Sequence, residues 1–82
     1  MLDVDVRLSA LKHGVLVEDI EHAVRNALVI EDLDDDLRLY LGSSRSGMLL
    51  EVIALMRTEN QTELVIHSMP MRAKYRPLLP GG

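Results

Sequence analysis

The chain of 82 residues carries nine Lys and Arg against thirteen Asp and Glu, which gives a formal net charge of -4. Hydrophobic residues make up 48% of it, a fraction that excludes an intrinsically disordered chain. The lack of Cys excludes a disulfide framework, a thiolate metal site and a cysteine nucleophile. We expect a single domain over residues 1–79 and a flexible tail at residues 80–82.

The N-terminal region lacks the features of a targeting segment. Asp3 and Asp5 stand where a secretion signal would carry basic residues. No apolar run approaches the ~20 residues that a membrane span requires. The sequence therefore predicts a cytoplasmic protein without a membrane partner.

Two helices are predicted in the first third of the chain. Residues 7–13 are typical of a short helix that ends at Gly14 and has basic residues in its last turn. A second helix begins near Val17, where acidic side chains in the first turn suit the positive end of the helix dipole. Its apolar residues recur at the intervals of three and four that an amphipathic helix requires: Val17, Ile20, Val24, Ala27 and Leu28.

Strand patterns follow the second helix. Apolar or alternating runs predict three to four strands, at residues 28–32, 37–41, 48–56 and 62–67. The run at 48–56 is nearly all apolar, which favours a central strand covered on both faces or in a dimer contact. An acidic turn at 34–36 and short loops at 42–47 and 58–61 join the strands, and such short connections favour antiparallel hairpins.

The fold class follows from this order of elements. We predict an α+β fold with two N-terminal helices, an antiparallel sheet of three to four strands, and a short basic C-terminal helix at residues 71–79, broken at Pro77. Charge divides along the same order: residues 1–38 carry a net charge of -6 and residues 39–82 a net charge of +2.

The basic end of the chain concentrates the candidate chemistry. Arg72 and Arg76 are four residues apart, so on an α-helix both guanidinium groups would face one side and could clamp a phosphate. Tyr75 offers a ring for base stacking or a phenol for proton transfer. The alternative is a solubilising turn whose arginines balance the acids of the first helices.

His67 ends a predicted strand just before this basic segment. An imidazole in that place suits general acid–base catalysis. The alternative is a hydrogen-bonded histidine at a strand end, because the sequence positions no catalytic partner for it.

Metal and cofactor motifs are not found in the sequence. The three His share no metal-ligand spacing, and the acids at 32–36 lack the spacing of a calcium loop. Residues 42–47 have the glycine spacing of a phosphate loop but not the Lys-Ser/Thr that completes it. The sequence therefore predicts no metal and no cofactor, and a hairpin loop at 42–47.

One segment carries a family resemblance. Lys12-His13-Gly14-Val15, the acidic helix start that follows, the strands and the basic C-terminal segment together resemble the BrnT-like toxins of bacterial toxin–antitoxin pairs. These toxins belong to the RelE-like superfamily of small ribonucleases, and the resemblance covers the element order from Leu8 to Arg76. It implies a metal-independent reaction in which a ribose 2′-hydroxyl attacks the adjacent phosphate, assisted by positioned Arg, Lys and acid–base side chains. It matches Lys12 to the Lys before His-Gly and puts Arg72 and Arg76 in the basic terminal helix.

Two functions are consistent with this resemblance. The first is a type II toxin that acts on RNA and is bound by an antitoxin protein, with candidate catalytic residues Lys12, His67, Arg72, Tyr75 and Arg76. The second is a catalytically inactive RelE-fold module that forms a homodimer or binds a partner protein, for which Met-rich strands are suited. The second stays open because Met69-Pro70 follows Ser68 where the family continues Ala-Arg.

Overall fold

A computed structural model describes residues 3–57 and 62–81 of the chain. The described residues form one five-stranded sheet, one α-helix and two 3-10 helices. In chain order these are β1 (Asp3–Val6), a 3-10 helix (Leu8–Leu11), α1 (Val17–Arg25), β2 (Val29–Asp32), β3 (Leu37–Ser43), β4 (Leu49–Arg57), β5 (Thr62–Pro70) and a second 3-10 helix (Ala73–Leu78).

The sheet has the strand order β1-β5-β4-β3-β2. Strands β2 to β5 form an antiparallel meander, while β1 lies parallel to β5 with Val6 opposite Val65. The β2–β3 connection uses a left-handed backbone at Asp35 and Asp36, a conformation that Asp tolerates better than most residues. The predicted acidic turn is therefore confirmed. A hairpin does join β3 to β4 as predicted, but its loop covers residues 44–48, because Gly42 and Ser43 belong to β3.

Helix α1 packs on one face of this sheet and creates the core. Its Ile20, Ala23 and Val24 are buried in one cluster with side chains from three strands: Tyr40, Leu50, Val52, Ala54 and Val65. The contact is close, because a Cβ at Gly42 would lie 2.2 Å from the carbonyl oxygen of Ala23. A strand residue without a side chain is thus required where the helix crosses β3.

A β-bulge in β5 decides which residues face the helix. Val65 lies opposite Ala54 and His67 opposite Ile53, so Ile66 is the extra residue. The alternation shifts by one at this point: Val65 and Ser68 both face the helical side, since the Ser68 hydroxyl donates to the carbonyl oxygen of Ala10. His67 is thereby placed on the opposite face of the sheet.

The α+β class is confirmed, and several finer predictions are wrong. The sheet has five strands instead of three to four, because β1 precedes the first predicted element. It is mixed, and not purely antiparallel, since β1 pairs in parallel with β5. The predicted loop at 58–61 lies outside the described residues.

The helix predictions also need correction. The predicted helix at 7–13 is a 3-10 helix of four residues with no side-chain cap, consistent with the high cost of nucleating a short α-helix. The basic C-terminal helix is also a 3-10 helix, with Pro77 inside it. Helix α1 begins at Val17 as predicted but ends at Arg25, because Leu28 already donates its backbone N–H to Leu41 of β3. Across the described ranges, no helix is long and apolar enough to span a membrane.

Candidate functional site

A buried carboxylate lies at the centre of the candidate site. Glu51, on the central strand β4, is fully buried on the face opposite α1. It accepts four hydrogen bonds from Arg72: from the backbone N–H at 2.9 Å, from Nε at 3.0 and 3.1 Å, and from Nη2 at 2.6 Å. Its Oε1 lies 2.9 Å from Nε2 of His67. One carboxylate therefore holds both the histidine at the end of β5 and the arginine that follows it.

The Glu51 carboxylate is ionised at neutral pH. Burial by itself would raise the pKa of Glu51, since a charge is costly to desolvate. The hydrogen bonds from the Arg72 side chain and backbone, and from His67, outweigh burial and lower this pKa from 4.5 to about 2. Charge-assisted bonds of this kind are the strong ones, so the cluster is well ordered around Glu51.

The protonation state of Glu51 fixes the tautomer of His67. An ionised carboxylate only accepts hydrogen bonds, so Nε2 of His67 must carry the proton that it donates to Glu51. A neutral ring then has its lone pair on Nδ1, which makes no hydrogen bond with the described residues. This is the arrangement in which a carboxylate orients an imidazole as a general base.

A second imidazole lies beside the first. His13 follows the first 3-10 helix, and its ring centroid is 6.0 Å from that of His67 in an edge-to-face arrangement. The next residue, Gly14, has a φ of +80°, a left-handed conformation that favours glycine and turns the chain toward α1. His13 is exposed, while His67 is partly buried.

The C-terminal segment adds an aromatic ring and cations. The guanidinium of Arg72 lies 5.8 Å from the ring centroid of Tyr75, and Nζ of Lys74 lies 4.9 Å from it. Glu51 raises the pKa of Arg72 above its already high value, so this side chain stays charged. Since 45% of the Arg72 side chain is exposed, it is accessible to an anion while bound to Glu51.

The structure brings three of the five predicted site residues together: His67, Arg72 and Tyr75. Lys12 is adjacent in sequence to His13 and exposed, and Arg76 is exposed within the second 3-10 helix. The predicted clamp of Arg72 and Arg76 on one helix face is wrong. Arg72 precedes the helix, and a 3-10 helix of three residues per turn does not align positions four apart.

Two residues of the cluster were not predicted as site residues. Glu51 is the only acid in the apolar run at 48–56, and a lone carboxylate in a predicted buried strand indicates a paired or functional group. His13 lies inside the tetrapeptide that carried the family resemblance, although Lys12 alone was mapped from it. For Glu51 the available signal was an acid within an apolar run, and for His13 it was membership of that tetrapeptide.

No metal centre accompanies the cluster in the described ranges: no three His, Cys, Asp or Glu side chains there come close enough to hold an ion. Comparison of the chain with protein-family models, characterised proteins and solved structures found no match. The toxin and ribonuclease interpretations therefore stay predictions that rest on the sequence resemblance.

Proposed function

We propose that this chain is the toxin-like component of a bacterial type II toxin–antitoxin system and acts in the cytoplasm as a metal-independent endoribonuclease. The observation that carries the proposal is the buried Glu51 carboxylate, which holds His67 and Arg72 together beside His13. Burying a carboxylate is costly unless it is fully paired, and the partners of Glu51 are two of the candidate site residues.

Transesterification of RNA needs a base, an acid and a cation near the phosphate. In this proposal Nδ1 of His67 removes the proton from the 2′-hydroxyl, whose oxygen then bonds to phosphorus. His13 gives a proton to the departing 5′-oxygen as its bond to phosphorus breaks. The products are a 2′,3′-cyclic phosphate and a free 5′-hydroxyl, so no water, metal or cofactor is consumed.

Arg72 and Tyr75 complete the proposed roles. The exposed part of the Arg72 guanidinium binds the phosphate as negative charge develops on it. Tyr75 provides a ring surface for a neighbouring base. Lys12 and Arg76 are exposed cations, adjacent in sequence to His13 and Tyr75, that attract the RNA backbone. Glu51 is a positioning residue that acts through His67 and Arg72.

The direct test is cleavage of a fluorescent RNA oligonucleotide by the purified chain in the presence of EDTA. Wild-type protein should leave a 2′,3′-cyclic phosphate and should not cut the same oligonucleotide with 2′-deoxyribose. His67→Asn should reduce the rate by about 100-fold or more, the usual contribution of a general base. His13→Ala should do the same, and because His13 is exposed, this variant should keep its fold.

The matched control is His22→Asn. His22 lies on α1, where its Nδ1 is 2.7 Å from the backbone oxygen of Ser43, away from the cluster. Its loss should leave cleavage unchanged. Folded wild-type protein that cuts no RNA and does not arrest growth on expression would refute the proposed activity.

A second candidate function is a non-catalytic module that dimerises or binds a partner protein through the edge of the sheet. Strand β2 is at the edge, and Leu28, Ile30 and Leu33 in and around it are exposed. Ile30 is 56% exposed, which is unusual for isoleucine on a strand. If this function holds, sedimentation equilibrium should give a dimer mass for wild-type protein and a monomer mass for Ile30→Lys.

A further inference from the structure

A groove of about 340 Å³ adjoins the candidate site. It lies between the residues that precede α1 and the β3–β4 hairpin, and His13 lines it. The His13 ring centroid lies 6.0 Å from that of His67, so His13 links the groove to the proposed catalytic cluster. Its volume is at the lower end of the range for small-molecule pockets, about 300–1,000 Å³, which suits one small ring and not a folded partner.

The groove has an apolar side and a polar side. Leu16 and Met48 are apolar lining residues that are 57% and 55% exposed, respectively, so this surface is not covered by the rest of the described chain. Asp19 and Ser46 are among the polar lining residues. A flat heterocycle, with apolar faces and a polar edge, matches such a surface better than an aliphatic or a uniformly charged ligand.

Asp19 provides a fixed acceptor in the groove. Its Oδ1 accepts the backbone N–H of Arg45 at 3.0 Å and the Nε of Arg45 at 2.8 Å. These bonds hold the pKa of Asp19 below its ordinary value, so the carboxylate is ionised. Oδ2 makes no hydrogen bond within residues 3–57 and 62–81, and it can accept one from a ligand.

We infer that this groove binds a nucleobase that carries an exocyclic amino group, and so gives the proposed ribonuclease a preference among RNA sequences. The inference rests on the proposed function for the identity of the ligand as RNA. A carboxylate accepts from the amino group of cytosine, whereas uracil would place a carbonyl oxygen against the same carboxylate. Adenine and hypoxanthine differ in the same way. Cytidine and adenosine should therefore bind more tightly than uridine and inosine, which have only a ring N–H to donate to the carboxylate.

The test is a titration of methyl-¹³C-methionine protein with the four nucleosides, followed by NMR. The Met48 methyl resonance, assigned with a Met48→Leu variant, reports on the groove, and the Met56 resonance on another part of the sheet. Cytidine should shift the Met48 resonance, and uridine should bind at least about tenfold more weakly, which corresponds to one good hydrogen bond to a base edge. The same ratio is expected for adenosine over inosine.

Three variants separate the acceptor from its surroundings. Asp19→Asn should abolish the preference for cytidine, because an amide replaces the ionised acceptor. Glu18→Gln removes the neighbouring charge and should keep the preference. Arg45→Gln breaks the ion pair with Asp19 but leaves its carboxylate, and should also keep it.

The outcomes for the groove and for catalysis are distinguishable. Equal binding of cytidine and uridine, no shift of Met48, or a preference that survives Asp19→Asn would each overturn the inference, whether or not RNA is cut. Selective cytidine binding by a protein that cuts no RNA would support the groove and refute the ribonuclease. RNA cleavage without selective nucleoside binding would support the ribonuclease and overturn the inference about the groove.

Discussion

Replacing Glu51 with Gln tests whether its charge organises the cluster. In the unfolded chain Glu51 should ionise near its ordinary pKa of 4.5, whereas in the folded protein its pKa is about 2. The folded state therefore favours the ionised carboxylate. This stabilisation is complete above about pH 4.5 and is lost as the pH falls from there to about 2.

The size of this stabilisation follows from the difference between the pKa values of Glu51 in the unfolded and folded states. Each unit of pKa difference corresponds to about 1.36 kcal/mol, so Glu51 contributes at most about 3 kcal/mol to the unfolding free energy. The Arg72 side chain is 45% exposed, and solvent reduces the contribution to about 1–2 kcal/mol. Glu51→Gln keeps the shape of the side chain but cannot carry the charge, so it should lose this amount of unfolding free energy at pH 7.

Urea denaturation at pH 7, 4.5, 3 and 2 measures the effect. The difference in unfolding free energy between wild type and Glu51→Gln should be constant down to about pH 4.5, and should shrink toward zero near pH 2. Glu31→Gln is the matched control, because Glu31 is exposed on β2 and its loss should change stability by less than about 0.5 kcal/mol. A Glu51→Gln deficit that is the same at pH 7 and pH 2 would refute the electrostatic explanation and indicate altered packing instead.

Two further substitutions test the helical face of the sheet. The hydroxyl of buried Tyr40 donates to Oε1 of buried Glu63, whose Oε2 has no partner in the described residues, so Tyr40→Phe should lower the unfolding free energy by about 1–3 kcal/mol. Burial, and then the Glu63 carboxylate, raise the pKa of Tyr40 to about 12, so absorbance at alkaline pH should show its ionisation well above that of an exposed tyrosine. Gly42→Ala would place a Cβ against the Ala23 carbonyl and should cost at least about 1–3 kcal/mol in denaturant unfolding, while the neighbouring Ser43→Ala should be nearly neutral. A Gly42→Ala variant as stable as wild type would mean that α1 shifts away from β3 at little cost.

The parts of the fold that were predicted correctly depend on local patterns. The spacing of apolar residues located the start of α1, and alternation or continuous apolarity located β3, β4 and β5. Strand β1 was missed because Asp3–Val6 is short and half acidic, and its strand conformation depends on pairing with β5 about 60 residues away. Gly42 was assigned to a loop, although it is a buried strand residue selected by the approach of α1.

The candidate site was predicted only in part, because only some of its residues are close together in the sequence. His67, Arg72 and Tyr75 lie within nine consecutive residues, so local sequence could group them. Glu51 comes from another strand, and its contact with His67 depends on the strand register and on the bulge at Ile66. A single inserted residue in β5 moves His67 from one face of the sheet to the other, and no periodic pattern in one sequence specifies where such an insertion falls.

The parallel pairing of β1 with β5 sets an order of events during synthesis. Residues 3–6 have no strand to join until residues 62–65 have been synthesised, whereas β2 and β3 can pair through a short connection before then. Closing so long a loop is entropically costly, so β1 should be the last strand to dock. Until it does, this side of β5 is an open edge next to His67, and a second nascent chain could pair there in place of β1. The candidate site therefore shares a strand with an edge of the sheet that is exposed to misassembly until β1 docks.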